Sequence, residues 1–163
     1  MKSWQFGLFY RYNACMKRRG FTLVEIMIVV AIIGLLAMLA VPSFMKSRRQ
    51  VQTNNFVSDL RVAVDAFMLY NLEHGVYPPD RTPSVIPPGM AEYLRGMKWA
   101  EPTPIGGQWD WDYQQFGHIA GVSVYRPDRT PSEMREIDAR IDDGNLSTGQ
   151  FRSRTAGYIY IIE

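Results

Sequence analysis

Hydrophobic and polar positions divide the chain into three regimes. Positions 26–45 read IMIVVAIIGLLAMLAVPSFM, 20 residues without a charge. That is the length of helix needed to cross a hydrocarbon core. The run is apolar on every face, which argues against a buried helix of a soluble protein. Positions 21–24 extend it toward the N-terminus, past a single acid at Glu25. After Pro42 the pattern becomes amphipathic. Val57, Leu60, Val64, Phe67 and Met68 recur at helical spacing, with Asn54, Arg61 and Asp65 on other faces. Gly75 and Pro78-Pro79 stop it. A nearly continuous helix from position 22 to about 72 is predicted, bent or loosened at Gly34 and Pro42.

Beyond position 75 the helical period disappears. Residues 75–106 are rich in proline and glycine and read as a long loop with a short helix at about 90–95. QWDWDY alternates Trp109, Trp111 and Tyr113 with Asp110 and Asp112, a strand pattern. IAGVSVY (119–125) is a second strand, and the QFGH turn between them makes a hairpin. Pro131 followed by SEMREIDARI predicts a helix with proline in its first turn. DDGN (142–145) is a turn, NLSTGQFR a short strand, and GYIYII (157–162) the last strand. The fold class is α+β: a long N-terminal helix packed through its amphipathic half on a small antiparallel sheet. The expected divisions are 1–20, 21–45 (transmembrane half-helix), 46–74 (amphipathic half-helix) and 75–163 (globular domain).

Charge changes the picture only at the N-terminus. Residues 1–20 hold Lys2, Arg11, Lys17, Arg18 and Arg19 and no acid, a net +5. The remainder has 13 basic and 16 acidic residues, a net −3, which recovers the +2 of the whole chain. The basicity belongs to the first segment, and a general argument for nucleic-acid binding fails without it. Lys17, Arg18 and Arg19 precede the apolar run, so the positive-inside rule places the N-terminus in the cytoplasm. Lys46, Arg48 and Arg49 follow the run and weaken that asymmetry without reversing it. Cys15 is the single cysteine, which excludes an intramolecular disulfide and a cysteine-built metal site. A cleaved secretory signal would have a shorter apolar core and small residues before the cut, which VPSFMKS does not supply.

An acid near the start of a membrane span is costly and needs a partner. Gly20-Phe21-Thr22-Leu23-Val24-Glu25 followed by the apolar run closely resembles the N-terminus of type IV pilins and type II secretion pseudopilins. The resemblance is specific over residues 16–45 and looser through the amphipathic helix and HGVYPPD, which is similar to the Gly-x-Tyr-Pro after the long helix of many pseudopilins. It implies a pilin-like fold with residues 1–20 as a prepilin leader. It implies cleavage between Gly20 and Phe21 by prepilin peptidase, an aspartyl peptidase of the membrane, and N-methylation of Phe21. It implies that Glu25 pairs with the terminal amine of a neighbouring subunit during assembly; pairing within one chain is the competing arrangement. Family leaders are short and basic, as MKRRG from Met16 would be, so translation starts at Met16 or the leader is long. The implied partners are other pilin-like subunits, the peptidase, membrane lipid and an inner-membrane assembly platform driven by a cytoplasmic ATPase. No nucleic-acid partner is expected. The implied location is the bacterial inner membrane, single-pass, with a periplasmic globular domain.

Motifs for chemistry are sparse. His74 and His118 are the only histidines, and no HExxH, Gly-x-Ser-x-Gly or phosphate-binding glycine loop is present, so no enzymatic activity is expected. Asp110 and Asp112 read as outward-facing acids of a half-buried strand, with a calcium pair or a carbohydrate site as alternatives. Trp99, Trp109 and Trp111 read as core or inter-subunit packing. Asp138, Asp142, Asp143 and Asn145 cluster around a turn. Oxygen ligands suit calcium, and the major pseudopilin of type II secretion carries calcium in its C-terminal loops. The spacing does not match the calcium-loop pattern, and a helix end with an Asp-Gly turn explains the cluster more simply. The expected cofactor is therefore none, with calcium as the alternative. The functional expectation is a filament subunit, a type II secretion pseudopilin ahead of a type IV pilus subunit for adhesion, motility or DNA uptake. A membrane-anchored binding module and an anchored enzyme are the rivals.

Overall fold

The computed structural model describes residues 20–163. The readings on positions 1–19, including the basic cluster, Cys15 and the start at Met16, lie outside the described residues. The elements run α1 (Leu23–His74), β1 (Gln108–Tyr113), β2 (Ala120–Tyr125), α2 (Pro131–Ile141), β3 (Phe151–Arg154) and β4 (Gly157–Ile161). The architecture is the α+β, pilin-like one expected. α1 has 52 residues and contains Pro42, whose missing amide hydrogen removes one rung of the helical ladder. The chain forms two compact units, one ending at Pro42 and one from Ser43 to Glu163. In the first, every large apolar side chain from Phe21 onward is exposed. The helix is long and apolar enough to cross a membrane. At its other end α1 stops where Gly75 turns left-handed (φ 71°) and donates its N–H to the Asn71 carbonyl at 2.7 Å.

In the second unit the sheet is antiparallel, in the order β1-β2-β4-β3. Strand alternation puts Trp109 and Trp111 on one face with their neighbours Val124 and Val122. That face meets α1. Phe56 stacks on Trp109 with ring centroids 5.3 Å apart, and Phe67 stacks on Trp111 at 3.8 Å. Burying an indole requires a partner for its N–H. Trp111 Nε1 donates to the Pro78 carbonyl at 2.9 Å and Trp99 Nε1 to the Val85 carbonyl at 3.2 Å. The proline-rich loop is thereby tied to the core. Both sheet edges are covered, which blocks edge-to-edge pairing. The Trp109 carbonyl of β1 accepts from Ser84 N–H at 2.8 Å, and Ser153 N–H of β3 donates to the Leu146 carbonyl at 2.9 Å.

Three local expectations are corrected. The buried stripe of α1 is Phe56, Leu60, Ala63, Ala66 and Phe67, whereas Met68 is half exposed. Hydropathy favours valine and methionine, but the buried face is set by close packing, and it takes two alanines between the stacked phenylalanines. The expected helix at 90–95 is a succession of turns; Leu94 N–H reaches the Met90 carbonyl, but Arg95 and Met97 make shorter three-residue closures. The strand read in NLSTGQFR begins only at Phe151. Ahead of it Asp143 and Asn145 take backbone N–H groups of Asn145 and Ser147, an arrangement that competes with a ladder.

Candidate functional site: the N-terminal motif, a buried ion cluster and an acidic loop

Gly20 and Phe21 precede α1 in exposed, irregular backbone, with Phe21 81% exposed. Glu25 has a partner within its own chain. Its Oε2 accepts from Thr22 N–H at 2.7 Å and from Thr22 Oγ1 at 2.8 Å, while Glu25 N–H donates to Thr22 Oγ1 at 3.2 Å. This is a capping box: Thr22 and Glu25 satisfy each other's backbone donors at the start of the helix. The T-x-x-E spacing was visible in the sequence, and the reading of Glu25 as a lone acid overlooked it. α2 repeats the device with Thr130 and Glu133, and Glu133 also pairs with Arg49 of α1. Those contacts hold the Glu133 carboxyl below the usual carboxylate range, the Thr130 backbone N–H being the largest cause.

Asp110 and Asp112 leave the aromatic face of β1, as alternation requires, but they do not reach solvent. They are 6% and 5% exposed, which corrects the reading of outward acids. Arg154 of β3 crosses the sheet to meet them, its Nη2 2.6 Å from Asp110 Oδ2 and its Nε 3.3 Å from Asp112 Oδ2. Ser123 of β2 donates to Asp112 and accepts from Arg154 Nε at 3.0 Å. The Phe116 ring lies over the guanidinium at 4.9 Å. Two carboxylates share one arginine, so burial and mutual repulsion push Asp110 up to about 6 despite the ion pair. Burial raises Asp112 as well, against the pull of Ser123 and Arg154. This cluster fastens three strands together. The aromatic platforms of the carbohydrate alternative lie in the core on the opposite face.

The third group is at the end of α2. Asp138 is fully buried, and neither carboxylate oxygen has a hydrogen-bond partner. Oxygens of Asp138, Asp142 and Asp143 lie within 4.8 Å of one another. Burial, then the charges of Asp143 and Asp142, push Asp138 up to about 6. The neighbours are organised by the loop: Asp142 Oδ2 accepts from Phe151 N–H at 3.1 Å and from Gln150 N–H, and Asp143 Oδ2 accepts from Thr148 Oγ1 at 2.6 Å. Asn145 uses its Oδ1 on Ser147 N–H at 3.2 Å. Gly149 (φ 72°) is required here, since a Cβ would stand 1.9 Å from Asp142 Oδ2. An all-oxygen set with one orphaned buried carboxylate fits a hard cation such as calcium.

Residues 15–41 match the family model of the prokaryotic N-terminal methylation motif. The chain is 42% identical over 150 aligned positions to the type II secretion system core protein G of Klebsiella pneumoniae, covering 82% of this chain and 98% of that one. It is 44% identical over 62 residues to core protein G of Escherichia coli K12, covering 38% of this chain and 43% of that one. It is 37% identical over 65 residues to the type IV major pilin protein PilE of Neisseria gonorrhoeae, covering 40% of this chain and 39% of that one. The matched stretch is thus less than half of the last two proteins and nearly all of the first. No solved structure matches the chain. Motif and fold together define a membrane-anchored, pilin-like protein. Within that class the chain belongs to the type II secretion system core protein G family, the pseudopilins.

Proposed function

We propose that this chain is a structural subunit of a pseudopilus, the pilus-like filament of type II secretion, and not an enzyme. The carrying observation is the apolar, fully exposed half-helix that starts with a capped glutamate directly behind Gly20-Phe21. The subunit waits in the bacterial inner membrane, N-terminus in the cytoplasm and globular domain in the periplasm. Prepilin peptidase cuts between Gly20 and Phe21 and methylates the Phe21 amine. An assembly platform then moves the subunit into the filament, where apolar half-helices bundle and the loosened turn at Pro42 adapts each helix to its neighbours. The similarity to PilE keeps a type IV pilus subunit as the alternative within the class.

The capping box gives Glu25 two duties. Thr22 keeps its amide N–H after the cut, so the cap survives processing and holds the acid in place in the waiting subunit. A carboxylate has about four acceptor directions, which leaves room for the methylated amine of a neighbouring Phe21. Burying both charges as a pair is far less costly than burying either alone, and the pair fixes one axial register. Exchanging Glu25→Gln keeps the cap's shape and removes the charge. Filament yield, measured by shearing and electron microscopy, should fall to background while the processed subunit stays in the membrane. Normal filaments from Glu25→Gln would favour a simple membrane-anchored binding module.

A second reading rests on Asp138. Its orphaned oxygens, with Asp142 and Asp143, would hold a calcium ion, and the ion would tie the end of α2 to the loop that covers β3. Calcium supplies charge neutralisation there and no catalysis. Isothermal titration should show binding that Asp138→Asn abolishes; an unaltered isotherm in that variant would refute the site.

A further inference from the structure

The globular unit carries an arginine groove that shares only Arg154 with the sites above. The groove, about 460 Å³, lies between the β2–α2 connection and the β3–β4 turn and is lined by Arg126, Arg129, Ser153, Ala156 and Tyr158, with Arg154 of the ion cluster along one wall. No carboxylate lines it. Among the described residues neither Arg126 nor Arg129 has a carboxylate partner, whereas Arg154 is held by Asp110 and Asp112. Arg126 lies over the Tyr125 ring at 5.1 Å, and Arg129 donates to the neutral Gln52 Oε1 at 2.8 Å. The positive charge is local, because residues 21–163 as a whole are net negative.

Its height along α1 is informative. Arg129 is bonded to Gln52, seven positions after Met45, the last residue of the uncharged run. At about 1.5 Å per residue that is roughly 10 Å of helix. A headgroup layer of about 5–7 Å lies outside the hydrocarbon on each side, and an arginine side chain spans the rest. Lys46 and Arg48, both exposed, occupy the interval, while Arg49 is neutralised by Glu133. Glu133 is paired as described, and neither Asp128 nor Glu136, both exposed, lines the groove.

We propose that the groove of Arg126 and Arg129 binds the phosphate headgroups of anionic phospholipid while the subunit is held in the membrane. The proposal rests on the membrane-anchored reading. Headgroup contact would hold the globular domain against the bilayer, and release from it would accompany extraction into a filament.

The test uses the full chain in vesicles of phosphatidylcholine alone or with phosphatidylglycerol. Flotation reports anchoring, and hydrogen exchange of segments 126–135 and 152–158 reports the groove. Flotation with both lipids, with exchange in these segments slowed at least about fivefold per arginine engaged only in anionic vesicles, is the expected result. High salt and the paired reversal Arg126→Glu/Arg129→Glu, on side chains that are exposed and half-buried, should remove the slowing. Equal exchange in the two lipids overturns the proposal. Slowing in phosphatidylcholine with added inorganic phosphate would mean a free-anion site, and slowing that scales with protein density would mean an acidic face of a second copy; either overturns it. Failure to float overturns the anchored reading itself.

Discussion

At the scale of single residues, the charges inside the fold carry the clearest consequences. Removing Arg154 would leave Asp110 and Asp112 buried against each other, so Arg154→Met should cost about 3–5 kcal/mol in urea unfolding. A cost under 1 kcal/mol would mean that the cluster opens to water. Asp110 and Asp138 both sit at about 6 in the folded protein, above the roughly 3.9 of an unfolded aspartate. Their contribution to stability is fully present below about pH 4 and is lost as pH rises through about 6. In chelator and detergent, the urea midpoint should therefore be higher at pH 5.5 than at pH 7.5. Asp110→Asn and Asp138→Asn should each flatten that slope, and calcium at pH 7.5 should recover the Asp138 share. Alternation in WDWD showed that the acids oppose the tryptophans. It could not show that Arg154, forty-two residues beyond Asp112, would cover them. Glu25 taught the opposite lesson: its partner Thr22 is three residues away and was legible throughout.

At the scale of elements, local signals marked α1 and α2, and packing fixed their faces. Pro131 at the first turn and a Thr-x-x-Glu box mark the start of α2, and both are present in the structure. Thr130→Ala should cost about 1 kcal/mol through the cap, and more if Glu133 then drifts from Arg49. On α1 the stacked Phe67 and the half-exposed Met68 are adjacent in sequence and opposite in consequence. Phe67→Ala should cost about 3–5 kcal/mol; Met68→Ala should stay within about 0.5 kcal/mol. The two melting curves measured side by side decide which face is buried. The loop after α2 was legible as a turn, but its dependence on Gly149 was not. That requirement comes from the Asp142 carboxylate folding back over the chain. Gly149→Ala should weaken calcium binding at least tenfold by titration without removing any ligand.

At the scale of the whole molecule, the sequence pattern was most informative where the physics is simplest. Twenty uncharged positions in a row admit few environments, and a basic cluster before them with glycine and phenylalanine at the junction narrows the choice further. The globular half is harder to read, because its sheet closes through contacts between residues far apart in sequence. The matches to the Escherichia coli and Neisseria gonorrhoeae proteins cover about two fifths of the chain, whereas the Klebsiella pneumoniae relative matches over most of it. The central claim is that the chain enters a filament through a processed, methylated N-terminus. Intact-mass and N-terminal peptide analysis of the membrane-extracted protein, from cells with and without prepilin peptidase, tests it most directly. The account predicts an N-methylated Phe21 only when the peptidase is present. An uncut chain in both cells, or a cut beyond Met45, would contradict it.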